Sequence, residues 1–169
     1  MDSVNKLNIF ENSDYVFNRR GTQSLVLDIT CGTTVKFNVQ LVEPLIIDKH
    51  SDVYLDSLST YHCLTSDSQA ELGFLLTLDD FPIKTASNIS NINRALYIPN
   101  EQSTAGNPEL GRSHKGKKLN YICSLNPTKL TKVSGKLTLL DGITTPFNDH
   151  SGVTSKAGRF VLDLAIIPR

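Results

Sequence analysis

From Ser24 onward the chain breaks into short β-rich runs, some alternating apolar and polar residues with a period of two. The clearest run is 33–42 (TTVKFNVQLV), where Val35, Phe37, Val39 and Leu41 fall on one side and Lys36, Asn38 and Gln40 on the other. Successive side chains of an extended strand point to opposite faces, so this run predicts a strand buried on one face. Segment 24–30 (SLVLDIT) reads the same way, and Cys31-Gly32 after it suits a tight connection. Pro44 interrupts the pattern, so LIID is read as a separate extended piece, followed by SDVYLDSLSTY at 51–61. Further strands are predicted in 71–81, 94–99, 118–125 and 133–141. The last is 158–169, where Phe160, Leu162, Leu164 and Ile166 oppose Val161, Asp163, Ala165 and Ile167. Both faces of that run are largely apolar, which predicts a central strand.

Helical periodicity is weak. Only 126–132 (NPTKLTK) offers a capping residue and room for one turn. Without crossover helices a parallel α/β fold is excluded, and eight or nine short strands punctuated by turn residues predict an all-β sandwich or barrel. The segments 84–93 and 100–117, rich in Ser, Asn and Gly, are expected as loops. Residues 1–17 read as a polar arm and 18–169 as one domain. The core is expected to include Leu25, Leu27, Val35, Phe37, Val39, Leu75, Ile122, Leu137, Leu139, Phe160, Leu162 and Leu164.

Composition adds little beyond a folded globular chain: 169 residues, 39% hydrophobic, 20% charged, no Trp. No apolar stretch approaches the roughly 20 residues of a membrane helix. The first residues lack the basic start and apolar run of an export signal, so a reducing compartment is expected. Cys31, Cys63 and Cys123 are widely separated and show no metal or redox spacing; buried free thiols are expected.

Charge is unevenly distributed. Residues 1–110 carry 7 Lys and Arg against 14 Asp and Glu, and residues 111–169 carry 10 against 3. The halves therefore differ by sign within a chain of zero net charge. Seven acids fall in 48–80 and seven bases in 111–136.

Candidate chemistry is sparse. Asp48-Lys49-His50-Ser51-Asp52 collects the residue types of a hydrolase triad, but strand neighbours point to opposite faces and no nucleophile elbow occurs. Asp48, Asp52 and Asp56 are spaced by four and form an acidic row, without the glycine and denser acids of a calcium loop. His50, His62, His114 and His150 have no zinc spacing. The dense basic run holds Arg112, Lys115, Lys117 and Lys118 without interleaved aromatics, so base stacking is not expected and nucleic-acid contact is disfavoured. No enzymatic activity, metal or cofactor is expected.

Three stretches carry a family resemblance: Asn18-Arg19-Arg20-Gly21-Thr22-Gln23, the run from Ile47 to Asp56, and Leu125-Asn126-Pro127 together with Gly158-Arg159-Phe160 to Ile167-Pro168-Arg169. They resemble small structural proteins of large icosahedral double-stranded DNA viruses. The resemblance implies a single jelly roll of about eight antiparallel strands, a place in the virion capsid after synthesis in the host cytoplasm, and, for some members, a pentameric penton at the fivefold vertices. Its implied partners are further copies of itself and the major and minor capsid proteins. A minor or cement protein of the same shell, or a cytosolic β-sandwich that binds a ligand, are the alternatives. The expected subunit interface joins Arg19, Arg20, Asp48, Asp52, Asp56, Asp79 and Asp80 with the basic Arg112, Lys115, Lys117 and Lys118.

Overall fold

The computed structural model describes residues 21–30, 35–61, 63–65, 73–88, 90–100, 112–114, 120–149 and 158–169. The strands among them are β1 (Gln23–Thr30), β2 (Lys36–Ile47), β3 (Ser51–Tyr61), β4 (Cys63–Thr65), β5 (Gly73–Leu78), β6 (Leu96–Pro99), β7 (Arg112–His114), β8 (Asn120–Leu125), β9 (Thr128–Thr138), β10 (Phe147–Asp149) and β11 (Arg159–Pro168). One short 3-10 turn, Ser90–Ile92, is the only helical element among the described residues.

The strands form two antiparallel sheets. Sheet A runs β1-β11-β3, with β8 and the short β7 both pairing the far side of β3. Sheet B runs β2-β9-β5-β6. Leaving out the short β4, β7 and β10, the eight main strands pair as first-eighth-third-sixth and second-seventh-fourth-fifth. Consecutive main strands cross from one sheet to the other, except β5 and β6, which pair as a hairpin within sheet B, in a double Greek key, the jelly-roll arrangement. A two-stranded ribbon of β4 and β10 stands apart from both.

The inner faces share one apolar core. Leu27, Leu58, Leu162 and Leu164 from sheet A meet Phe74, Leu76, Val133 and Leu137 from sheet B. Phe37 and Phe160 join the sheets edge to face, with ring centroids 6.0 Å apart. The expected core positions are buried except Val35 and Val39, which are half-buried near the open β2 flank. β11 is central, as its two apolar faces predict: it is flanked by β1 and β3, and both Ala165 and Ile167 on its outer face are buried.

Two local readings are corrected. Pro44 does not end a strand: β2 runs through it, with the register shifting between Gln40 and Leu45. Because β2 is an edge strand and Pro44 sits exposed in that irregularity, its missing N–H breaks no ladder bond. Segment 126–132 forms no helical turn. Asn126 and Pro127 make the corner between β8 and β9, and Thr128–Ile47 pairing takes the chain straight into sheet B. Cross-strand pairing supplied the partners that local helix signals lacked.

Gly135 shows why β9 needs a glycine beside β5. A Cβ there would lie 2.2 Å from the Thr77 carbonyl oxygen and 2.8 Å from the Phe37 ring, inside contact distance of both.

Candidate assembly surfaces

The outer face of sheet A holds the one extended polar network among the described residues. Asp52, on β3, accepts Arg169 Nε at 2.9 Å and Ser124 Oγ at 2.6 Å, and its other contact to Arg169 Nη2 is 2.8 Å. The guanidinium and carboxylate therefore meet as two parallel forks. Ser124 Oγ also takes Arg169 Nη2 at 3.0 Å and lies 2.8 Å from the Tyr121 hydroxyl. With one bond donated to Asp52 and two accepted, the serine hydroxyl is saturated. Tyr121 packs edge to face on Tyr54 at 5.7 Å, and the His50 Nδ1 lies 3.2 Å from Asn126 Oδ1.

The network fixes the charge of its members. The hydrogen bond from Arg169 holds the Asp52 carboxyl below its usual range, assisted by Ser124 and opposed by burial. The same bond raises the Arg169 guanidinium. Three of the carboxylate's lone-pair sites are taken, by Arg169 Nε, Arg169 Nη2 and Ser124 Oγ. The group acts as a clamp that ties the end of β11 to β3 and β8, next to the backbone bond from Arg169 N–H to the His50 carbonyl at 2.9 Å. Cys123, behind it in the core, has its thiol pushed up to about 11, first by burial and then by the negative Asp52. A thiol so shifted stays protonated and unreactive at neutral pH.

Farther along the same face, Arg159 pairs with Asp28 at 3.1 Å across β11 and β1 and lies 5.5 Å from the Tyr61 ring centroid. Asp163 accepts the Ser24 hydroxyl at 2.9 Å. The register shift between β3 and β11 falls at Asp163, so Asp56 bulges out exposed beside it.

The outer face of sheet B is basic. Lys36 and Lys136 are direct cross-strand partners, and Lys132 faces Gln40 four residues along. They alternate with the buried Phe37, Val133 and Leu137, so burial of the inner face turns the lysines outward. Beside them, where β5 ends, lies an open cleft of about 1070 Å³ lined by Thr77, Asp79, Lys84, Arg94 and Lys136, among others. A second hollow of about 470 Å³ adjoins it over Lys36, Asp79 and Lys136. Arg94 has φ 63°, a left-handed conformation taken here by no other non-glycine among the described residues. Such a residue costs about 1–2 kcal/mol where glycine would cost little. The next residue, Ala95, is fully buried, and its carbonyl takes the Thr85 hydroxyl at 2.7 Å.

A further cavity of about 450 Å³ opens where β1 and β2 part, between Asp28, Phe37, Pro146 and Phe160. On this flank Val26, Val42 and Ile46 are exposed, Val42 completely. Asp141 caps the turn after β9: it accepts the Ile143 and Thr144 N–H groups, each at 2.8 Å, and the Thr144 hydroxyl. Those bonds, the hydroxyl first, hold its carboxyl below the usual range.

The fold separates the expected interface residues. Asp52 and Asp56 face outward on sheet A, while Asp48 sits exposed in the turn before β3. Asp79 and Asp80 form the turn after β5 at the end of sheet B, where the Asp80 carboxylate accepts the Ser134 N–H at 3.1 Å. The acidic row is thus divided between two faces. The basic segment is divided likewise: Arg112 lies in β7, opposite Thr60 of sheet A, and Lys129, Lys132 and Lys136 lie in β9 of sheet B. Arg19, Arg20, Lys115, Lys117 and Lys118 fall outside the described residues. Reading by segment missed Lys36, Lys84 and Arg94, which lie far from the basic run in sequence. Lys36 was visible as the polar partner of Phe37, but only the β2–β9 register places it against Lys136.

Among the described residues no group of three or more His, Cys, Asp or Glu is placed to share a metal ion, and no helix is long and apolar enough to cross a membrane. No family model matches the chain, and neither the curated proteins nor the solved structures contain a significant match to it.

Proposed function

We propose that the chain is a structural subunit of an icosahedral viral capsid, assembling as a ring of five at the fivefold vertices. The observation that carries this reading is the double Greek-key strand order, with eight main strands interleaved between two sheets over one core. It is the topology implied by the sequence resemblance, and it gives a rigid block with two broad outer faces. Two unlike outer faces on one chain, ion-paired on sheet A and lysine-bearing on sheet B, suit a ring, because each cyclic contact joins two different patches of neighbouring subunits. Exposed Val26, Val42 and Ile46 add an apolar area able to hold such contacts once charge has set their register.

The test is the mass of the purified full chain in solution by size-exclusion chromatography with light scattering, with particles imaged by negative-stain electron microscopy. A species of five 18.6 kDa protomers, seen as fivefold rings, is the expected result. A monomer at every concentration, in low salt as in high, overturns the reading.

A further inference from the structure

Thr77 and Lys136 are direct cross-strand partners on β5 and β9. Leu76, Leu78 and Leu137 beside them are buried in the core, so Thr77 and Lys136 turn to the outer face of sheet B. Both line the cleft of about 1070 Å³ where β5 ends. The Thr77 Oγ1 is buried and has no hydrogen-bond partner among the described residues. An unpaired buried hydroxyl costs folding free energy, and native structures hold few of them. The Thr85 hydroxyl in the same lining already donates to the Ala95 carbonyl at 2.7 Å. Lys84 and Arg94 reach the cleft from the segment between β5 and β6. Arg94 follows the 3-10 turn, where the Ala95 N–H bonds the Ile92 carbonyl at 3.1 Å. Its φ of 63° is the left-handed conformation that a helical end usually gives to glycine. An arginine there carries a backbone cost that glycine avoids, and strain of this kind gathers at ligand clamps.

We infer that this cleft binds a phosphate group, free or carried as a monoester on a small molecule. Arg94, Lys84 and Lys136 are its charged donors, and the Thr77 hydroxyl is its neutral one. A phosphate presents several acceptor oxygens, which a guanidinium, two ammonium groups and a hydroxyl can share. A carboxylate has only two oxygens, and one arginine fork would satisfy both. The volume is at the upper end of small-molecule pockets, which leaves room for the organic part of an ester. Asp79 also lines the cleft and repels an anion, so it limits the affinity. Every named residue belongs to one chain, and the site holds whether or not copies assemble.

The experiment titrates the full chain with inorganic phosphate and, separately, with adenosine monophosphate, by calorimetry and thermal shift, with chloride holding ionic strength constant. One saturable site per chain is expected. Thr77→Val removes the orphaned hydroxyl and keeps its shape. It should leave the unliganded melting temperature unchanged or raised, and weaken binding about tenfold or more. Arg94→Gly should do the same, because glycine relieves the turn while the guanidinium is lost. Asp79→Asn should tighten binding, and Lys132→Gln, outside the cleft lining, should leave it at wild-type strength. If Thr77→Val unfolds by circular dichroism, Lys84→Gln at an exposed position replaces it. Equal affinity for the two anions supports a site for phosphate itself, and tighter binding of the monophosphate ester supports one that also holds the organic part. No saturable binding of either anion, or wild-type affinity in the variants of Thr77 and Arg94, overturns the site. If neither small anion binds but a short DNA duplex does, and these variants lose it, the surface takes a nucleic-acid backbone and the small-molecule assignment is likewise overturned.

Discussion

The outer faces of the two sheets treat charge in opposite ways. On sheet A, Arg159 of β11 and Arg169 just past its end are set among the aspartates of β1 and β3, so Arg159 meets Asp28 and Arg169 meets Asp52. On sheet B, β2 and β9 bring Lys36 against Lys136. The sequence separates an acidic first part from a basic last part, and the topology undoes that separation on one face only. Inserting the C-terminal strand between β1 and β3 places late bases among early acids. Pairing β2 with β9 places a late base beside an early one. The Arg169 guanidinium grips Asp52 as a planar fork, a geometry that a lysine ammonium cannot make. Sheet A therefore pairs two of its aspartates with arginines, and sheet B sets lysines side by side.

Beneath these faces the sheets should behave as one body, and the largest effects test that. Leu162→Ala in sheet A and Leu137→Ala in sheet B should each cost about 2–5 kcal/mol in chemical denaturation, with a single cooperative transition. A small loss for one and a large loss for the other would mean that the sheets do not share a core. Gly135→Ala should come next, at about 1–3 kcal/mol, since its methyl has nowhere to go between Thr77 and Phe37. If it is neutral, β5 and β9 are not held in the register given.

The surface comparison is sharpened by pH. Asp52 is lowered by its bond to Arg169, so the pair contributes stability above the ordinary aspartate range near 3.8, and that contribution is lost as pH falls through the lower folded value. Asp52→Asn or Arg169→Ala should flatten the acid limb of a stability-versus-pH curve, leaving less to lose on acidification. An unchanged acid limb would show that the clamp is not closed in solution. The smallest effects separate the faces directly. Arg159→Gln should cost up to about 1 kcal/mol, because it breaks a half-exposed ion pair with Asp28 and a ring contact. Lys132→Gln on sheet B should lie within about 0.5 kcal/mol of wild type, measured by thermal or urea unfolding of the dissociated chain.

Period-two alternation specified the strand identity of the long strands, β2 and β11 most clearly. A half-buried strand must alternate, and in 33–42 and 158–169 each face is legible from the side chains themselves. The centrality of β11 was equally legible, since only a strand covered on both sides carries Ala165 and Ile167 where a solvent face would be polar. Pro44 and segment 126–132 were misread because a proline and a capping residue are local signals. Their outcome depends on whether the strand lies at a sheet edge and which partner lies opposite. The charged surfaces were decided last. Composition gave the sign of each half, but Arg169 reaches Asp52 across 117 residues of sequence, and Lys36 reaches Lys136 only through the β2–β9 register. Side-chain alternation fixes which way a residue points, and strand order fixes what it points beside. The first is written within a few residues; the second is set by the free energy of packing the whole core.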